Sequence, residues 1–106
     1  MRANAMMIHK IQKGTELYIA PVGEVDAITA PELQKAIQES IQGMTSVILD
    51  FEKVDYISSA GLRTILLTEQ IMEEQGQLKL IHVNDMIYEI LDLTGLSDFL
   101  TIERRS

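Results

Sequence analysis

The feature that most constrains this chain is the alternation of two hydrophobic patterns along its 106 residues. Short runs rich in β-branched and large apolar residues, such as 47–51 and 78–83, are typical of buried strands. The segments 29–41 and 59–75 instead repeat their apolar residues at the spacing of a helix. A chain that alternates strands and helices forms a sheet with parallel crossovers and helices packed against it. The sequence therefore predicts a single α/β domain with a mixed sheet, in the order ββαβαβαβ.

Local signals predict where these elements begin and end. A capping box at Thr29-Ala30-Pro31-Glu32 predicts the start of the first helix, and Asn84 is a predicted cap of the third. Pro21 cannot donate to a ladder, so we expect it at a strand end, an edge or a bulge. The predicted strands are 8–12, 17–22, 47–51, 78–83 and 101–103, and the predicted helices are 29–43, 59–75 and 84–95.

The two ends of the chain carry their own expectations. The domain is predicted to span residues 8–106, with no helix after the last strand. Residues 1–7 lack any pattern, so we expect them to be disordered or to be an addition to the natural protein, with Met6 or Met7 as its start.

Composition excludes several classes of function. The net charge of -7 argues against a nucleic-acid surface and against electrostatic attachment to anionic lipid. No run of about 18 apolar residues and no signal peptide are found, so membrane insertion is not expected. The absence of cysteine excludes disulfides and thiolate metal sites and is typical of a cytoplasmic protein. We expect a cytoplasmic protein that does not bind nucleic acid.

The sequence contains none of the common motifs for catalysis. The chain has no phosphate-binding loop of the G-x-x-x-x-G-K-[ST] or G-x-G-x-x-G type, and no G-x-S-x-G elbow. His9 and His82 both lie in predicted strands without carboxylate partners at ligand spacing, so no metal site is predicted. We therefore expect no catalysis, no cofactor and no metal.

Two serines lie where a strand-like run gives way to a helix. Ser58 or Ser59 occupies the position of an N-cap, where a hydroxyl accepts a hydrogen bond from an otherwise unpaired backbone N–H. Taken by the pattern alone, capping is the more common role of such a serine. An exposed serine there could also carry a phosphate, because a helix N-terminus favours anions.

Three blocks of the sequence resemble the STAS domain of bacterial anti-sigma factor antagonists. They are Gly23-Glu24-Val25-Asp26, the stretch 56–62 and the stretch 91–96, and they occur in the family's order and near its spacing. The resemblance runs from about Ile8 to Ile102. It implies that the position matching Ser59 is phosphorylated by a partner kinase, with Ser58 as a secondary candidate. It also implies a partner-binding surface at Gly23, Glu24, Asp26, Ile28, Ser58, Ala60, Gly61, Leu62 and Arg63.

The chain departs from the best-known members of this family at two positions. Ser58 stands where they have an aspartate before the acceptor, and Ala60 stands where they have a second serine or threonine. A Ser-Ser-Ala-Gly-Leu-Arg version resembles a recurring variant of the family, so phosphorylation is still expected. The orientation of the acceptor is then open, because one acidic neighbour is missing.

The resemblance implies a regulatory protein rather than an enzyme. Its partners would be an anti-sigma factor with serine kinase activity, which supplies ATP and Mg²⁺, and a serine phosphatase. Two alternatives stay open: an unphosphorylated subunit of a lipid-transport complex or stress-sensing scaffold, and a small enzyme or nucleotide binder. Oligomeric state is also open, and a dimer is conceivable.

Overall fold

We describe residues 6–105 of the chain, using a computed structural model. The elements in chain order are β1 (Met7–Lys13), β2 (Glu16–Val25), α1 (Ala30–Gln38), β3 (Ser46–Asp50), β4 (Val54–Ile57), α2 (Ser59–Glu73), β5 (Gln77–Val83), α3 (Asp85–Leu93), a 3₁₀ turn (Leu96–Asp98) and β6 (Thr101–Arg104).

The strands form one mixed sheet in the order β1-β2-β3-β5-β6, with β4 paired to β2. Only the β1–β2 pair is antiparallel, and the pairs β2–β3, β2–β4, β3–β5 and β5–β6 are parallel. The ten-residue strand β2 makes this possible, because it pairs with β3 along 16–19 and with β4 along 23–25. The predicted α/β class and mixed sheet are confirmed.

The helices cover one face of the sheet. In β2, buried Leu17 and Ile19 alternate with half-exposed Tyr18 and Ala20, which is the pattern of a sheet with one covered face. The other face is open, and Ile11 of β1 is about half exposed there. The largest fully buried side chains, which form the core, are Phe51, Leu17, Ile19, Leu33, Ile37, Leu49, Ile57, Ile65, Met72, Leu80, Ile87 and Leu91.

Two elements differ from the prediction. The strand β4 was not predicted, because its four residues bury only the first and the last and so lack the alternation that marks a strand. The helix α1 ends at Gln38 instead of running to Gly43. The apolar spacing continues beyond its end because Ile41 and Met44 lie in the following turn and are buried in the core.

Signals at the element ends were right in part. Asn84 caps α3 by accepting a hydrogen bond from the N–H of Ile87 at 2.8 Å, as predicted. The predicted capping box is wrong, because the hydroxyl of Thr29 makes no cap hydrogen bond and donates to the carbonyl of Glu24 at 2.6 Å. Pro21 lies within β2, in the gap between the pairing to β3 and the pairing to β4, which is locally an edge.

Among residues 6–105, no helix is long and apolar enough to cross a membrane. The expectations for residues 1–5 lie outside the described residues.

Candidate functional site at the start of helix α2

The site is built by two adjacent parallel strands. In the β2–β4 pair, Glu24 is opposite Tyr56 and Val25 is opposite Ile57. The N–H of Ser58 donates to the carbonyl of Val25 at 2.9 Å, which joins the start of α2 to the end of β2. The loop after β2 and the first turn of α2 therefore lie at the same edge of the sheet. We call residues 23–28 and 58–63 together the switch surface.

The structure separates the roles of the two serines. Ser58 is the N-cap of α2, with extended backbone, and its Oγ accepts a hydrogen bond from the N–H of Ala60 at 3.2 Å. Ser59 is the first residue of the helix and is exposed. Among the described residues 6–105, no group forms a hydrogen bond with its hydroxyl. Capping thus occupies Ser58 and leaves the hydroxyl of Ser59 accessible.

The helix terminus around Ser59 has a positive electrostatic character. The first turn of α2 contains no acidic residue, so the helix dipole there is not compensated by a nearby carboxylate on the helix. Arg63 is also exposed and lies four residues after Ser59, which places the two side chains on the same side of the helix. An anionic group on Ser59 would meet both the dipole and the guanidinium.

Asp26 organises the loop between β2 and α1. Its Oδ1 accepts hydrogen bonds from the N–H groups of Ile28 at 2.9 Å and Thr29 at 3.0 Å. These donors hold the pKa of Asp26 below its ordinary value, with the bond from Thr29 contributing most. The carboxylate is therefore both a structural anchor of the loop and a fixed negative charge on the switch surface.

Gly61 lets α2 approach the sheet closely. A Cβ atom at this position would lie 2.5 Å from Cγ1 of Ile57 and 2.8 Å from Cγ1 of Val25. Gly61 is buried, so it supports the predicted partner-binding surface from below. Any larger residue would force a shift of the first turn of α2 or of the side chains of Ile57 and Val25.

The remaining predicted residues differ in their exposure. Glu24, Ile28 and Arg63 are exposed, whereas Gly23, Ala60 and Leu62 are partly buried. Ile28, at 64% exposure, is an apolar side chain on the surface of the loop. Tyr56, at 42% exposure, lies beside Glu24 in the strand register and was not assigned to the site from the sequence, because β4 was not predicted.

A second cluster of chemically active side chains lies at the ends of β3 and β5. Nδ1 of His82 is 2.7 Å from Oδ1 of Asp50 and 3.3 Å from Oε1 of Glu52. The hydrogen bond to Asp50 raises the pKa of His82. The expectation that His82 lacks a carboxylate partner is therefore wrong. In the described part of the chain, this is the group of side chains that could hold a metal ion.

The chemistry available at the switch surface is that of recognition. It combines an accessible hydroxyl, an apolar side chain at Ile28 and charges of both signs at Asp26 and Arg63, and the neighbouring Tyr56 of β4 adds an aromatic ring beside it. Interfaces between proteins are enriched in aromatic residues and arginine of this kind. The arrangement is suited to docking another protein.

Comparison with known proteins agrees with this fold. Residues 7–106 match the family model of the STAS domain. The anti-sigma-B factor antagonist of Listeria monocytogenes is 31% identical over 91 residues, which cover 83% of this chain and 77% of that protein.

Solved structures with the same fold include two anti-sigma factor antagonists. One from Mycobacterium paratuberculosis has a TM-score of 0.84 and 19% identity, covering 93% of this chain and 86% of that chain. The Bacillus cell fate determinant SpoIIAA in its phosphorylated form has a TM-score of 0.71 and 19% identity, covering 92% and 90%.

Proposed function

The chain belongs to the STAS domain family, and from this premise we propose that it is an anti-sigma factor antagonist switched off by phosphorylation of Ser59. Unmodified, the switch surface binds an anti-sigma factor that has serine kinase activity. That binding releases the client of the anti-sigma factor, and the kinase then phosphorylates Ser59. A serine phosphatase restores the unmodified form. The chain acts in the cytoplasm, needs no cofactor of its own and is not an enzyme.

The observation that carries this proposal is that the two serines have different roles. The hydroxyl of Ser58 is engaged in the cap of α2, while that of Ser59 is exposed beside it. A kinase can reach Ser59 without unfolding the helix, and a phosphate there remains at the end of the helix dipole that favours it. Ser58 is partly buried and its Oγ is engaged in the cap, so its phosphorylation is expected to be the lesser reaction.

The names of relatives support the choice of partner. The Listeria relative, at 31% identity, is an anti-sigma-B factor antagonist. One structural neighbour, SpoIIAA, was solved in a phosphorylated form, but at 19% identity that likeness concerns the fold alone. The assignment of the acceptor in this chain therefore rests on the geometry of its own serines.

The expected loss of partner binding on phosphorylation is an electrostatic effect. Phosphorylation adds about -1.5 to -2 charges to Ser59 at neutral pH. The unmodified surface around Ser59 is positive, because the N-terminus of α2 has no acidic residue in its first turn and Arg63 is exposed beside it. A partner complementary to this surface presents negative charge there, so an added phosphate brings like charges together at the interface, which costs several kcal/mol. Since about 1.4 kcal/mol is a factor of ten, we expect binding to weaken about a hundredfold or more.

The test combines phosphorylation and binding. The purified chain is incubated with ATP, Mg²⁺ and a candidate anti-sigma factor kinase from its gene neighbourhood, and its intact mass is measured. We expect a single added phosphate that is lost in Ser59→Ala and retained in the matched control Ser58→Ala. A phosphate that survives Ser59→Ala but disappears in Ser58→Ala would move the acceptor by one residue. No addition by a kinase active on another substrate would contradict the proposal.

Binding of the same kinase to three purified variants tests whether negative charge at Ser59 controls partner binding. Ser59→Ala is expected to bind as the unmodified chain does and to stay bound in the presence of ATP. Ser59→Asp is expected to bind more weakly, by about tenfold or more, although a carboxylate mimics a phosphate imperfectly. Ser58→Asp is the matched control for a charge added one residue away. If Ser59→Asp binds as tightly as wild type, charge does not gate the interface.

A further inference from the structure

Asp50, Glu52 and His82 form a cluster of their own, and none of the three belongs to the switch surface. Asp50 is the last residue of β3 and is only 8% exposed, whereas the side chains of His82 and Glu52 are 44% and 56% exposed. One imidazole nitrogen and two carboxylate groups therefore lie close together, and the buried Asp50 is next to the two more exposed side chains.

An unusual backbone conformation brings His82 to this position. In the β3–β5 pair Asp50 is opposite Ile81, so the side chains of those two residues point to the same face of the sheet. In a regular strand the next residue, His82, would point to the opposite face. Instead its φ is 58°, and the pairing of β5 with β6 shifts register between Leu80 and Val83. The imidazole is thereby turned to Asp50.

Hydrogen bonds position the carboxylate of Asp50 and the loop that carries Glu52. The hydroxyl of Tyr18 donates to Oδ2 of Asp50, and this bond raises the pKa of Tyr18 to about 12, so that the phenol stays a donor. The N–H of Glu52 donates to Oδ1 of Asp50 at 3.0 Å. The guanidinium of Arg105 donates to the carbonyl oxygens of Phe51 and Glu52, which anchors the loop. Hydrogen bonds of this kind orient metal ligands and raise affinity.

The spacing of the three ligand atoms fits a small divalent ion. Metal–ligand distances of about 2.0–2.2 Å place neighbouring tetrahedral ligand atoms roughly 3.4 Å apart. Nδ1 of His82 is already 3.3 Å from Glu52, and its 2.7 Å separation from Asp50 has to open by well under 1 Å. All three atoms lie within 4.8 Å of one another. The exposed side chain of Glu52 can make the remaining adjustment by rotation.

Access and charge also favour a cation. An open cleft of about 320 Å³ on the uncovered face of the sheet is lined in part by Asp50 and Glu52, which leaves room for water on the ion. The whole chain carries a net charge of -7. Cations are therefore concentrated near the cluster before they bind.

From this geometry we propose that Asp50, Glu52 and His82 form a site for a divalent transition-metal ion, with zinc as the representative. One imidazole and two carboxylates suit zinc and similar ions, whereas magnesium and calcium prefer oxygen ligands alone. When the ion binds, it replaces the proton that His82 Nδ1 shares with Asp50. Three protein ligands leave a coordination position for water or for a group from a partner.

Zinc binding to the full chain is measured by calorimetry at about pH 7.5, where ligands bind in deprotonated form. We expect one zinc per chain, with affinity reduced by at least about tenfold in Glu52→Gln and in His82→Asn. Asparagine is chosen at 82 because it tolerates a left-handed backbone. His9→Gln removes the other histidine and is expected to bind zinc as wild type does. Magnesium is expected to bind far more weakly than zinc.

Nitrogen NMR of the imidazole rings supplies an independent signal. We expect zinc to shift Nδ1 of His82 strongly and to leave the ring of His9 unchanged. The proposal is overturned if no binding occurs at zinc concentrations up to about 1 mM, which corresponds to only about -4 kcal/mol. It is equally overturned if Glu52→Gln and His82→Asn bind like wild type, or if His9→Gln abolishes binding.

Discussion

Asp26 shows how a single side chain links the shape of the switch surface to pH. Its carboxylate accepts two backbone N–H bonds, and its pKa is lowered from the ordinary value. A carboxylate with a lowered native pKa stabilises the fold above the unfolded-state pKa. That stabilisation is lost as pH falls through the native value. The loop between β2 and α1 should therefore be held most firmly near neutral pH and loosen in acid.

This reasoning gives a prediction for Asp26→Asn. The free energy of unfolding, measured with urea, should be lower for the variant than for wild type at about pH 7, and the difference should shrink at about pH 3 or below. Asp55→Asn is the control, because it removes the same charge from an exposed position in β4. A difference for Asp26→Asn that is equal at both pH values would show that its ionisation does not stabilise the loop.

Ser58 and Ser59 are also informative at the scale of single residues. From the sequence, Ser58 and Ser59 were equal candidates for the cap, and the resemblance to a family favoured Ser59 as the acceptor. Which hydroxyl points back to the N–H of Ala60 depends on where the helix begins, and boundaries are the least certain part of any prediction from a pattern. The structure places that boundary at Ser59.

At the scale of elements, the seating of α2 on the sheet depends on Gly61. An alanine Cβ there would lie 2.5 Å from Cγ1 of Ile57, closer than van der Waals contact allows. Gly61→Ala is expected to destabilise the chain by about 1–3 kcal/mol, which is typical of overpacking in a core. Denaturant unfolding measures this loss directly.

A double-mutant cycle identifies the cause. Ile57→Ala removes the nearest atoms that the new Cβ would meet and leaves Cγ1 of Val25. By itself it is expected to cost about 2–5 kcal/mol as a buried truncation. In the Gly61→Ala background the same truncation should cost less, because it also relieves the collision. Strict additivity of the two losses would mean that the collision is not what destabilises Gly61→Ala.

At the scale of the whole molecule, the proposed switch requires no change of fold. Ser59 is exposed at a helix N-terminus, where a phosphate is favoured, so the phosphorylated chain should keep its core and its sheet. Amide NMR shifts are expected to change within 23–28 and 58–63 and to stay constant in β6, three strands away from β2. The melting temperature is expected to stay the same or to rise slightly.

Ser59→Ala treated with the same kinase and ATP is the control for this experiment. Widespread shift changes that reach β6, or a large fall in melting temperature, would indicate that phosphorylation acts by altering the fold. The charge mechanism would then be wrong even if Ser59 is the acceptor.

The sequence by itself determined the class of the fold and every strand of the sheet except β4. It also located the junction before α2, where part of the switch surface lies. These follow from local information, because the periods of helix and strand and the cap at Asn84 are properties of neighbouring residues. Only the tertiary structure decided that Thr29 bonds to Glu24, that Ser58 is the cap, and that His82 meets Asp50. Residues 32 apart in sequence are brought together by the pairing of β3 with β5 and by the positive φ of His82. No short-range pattern encodes either of these.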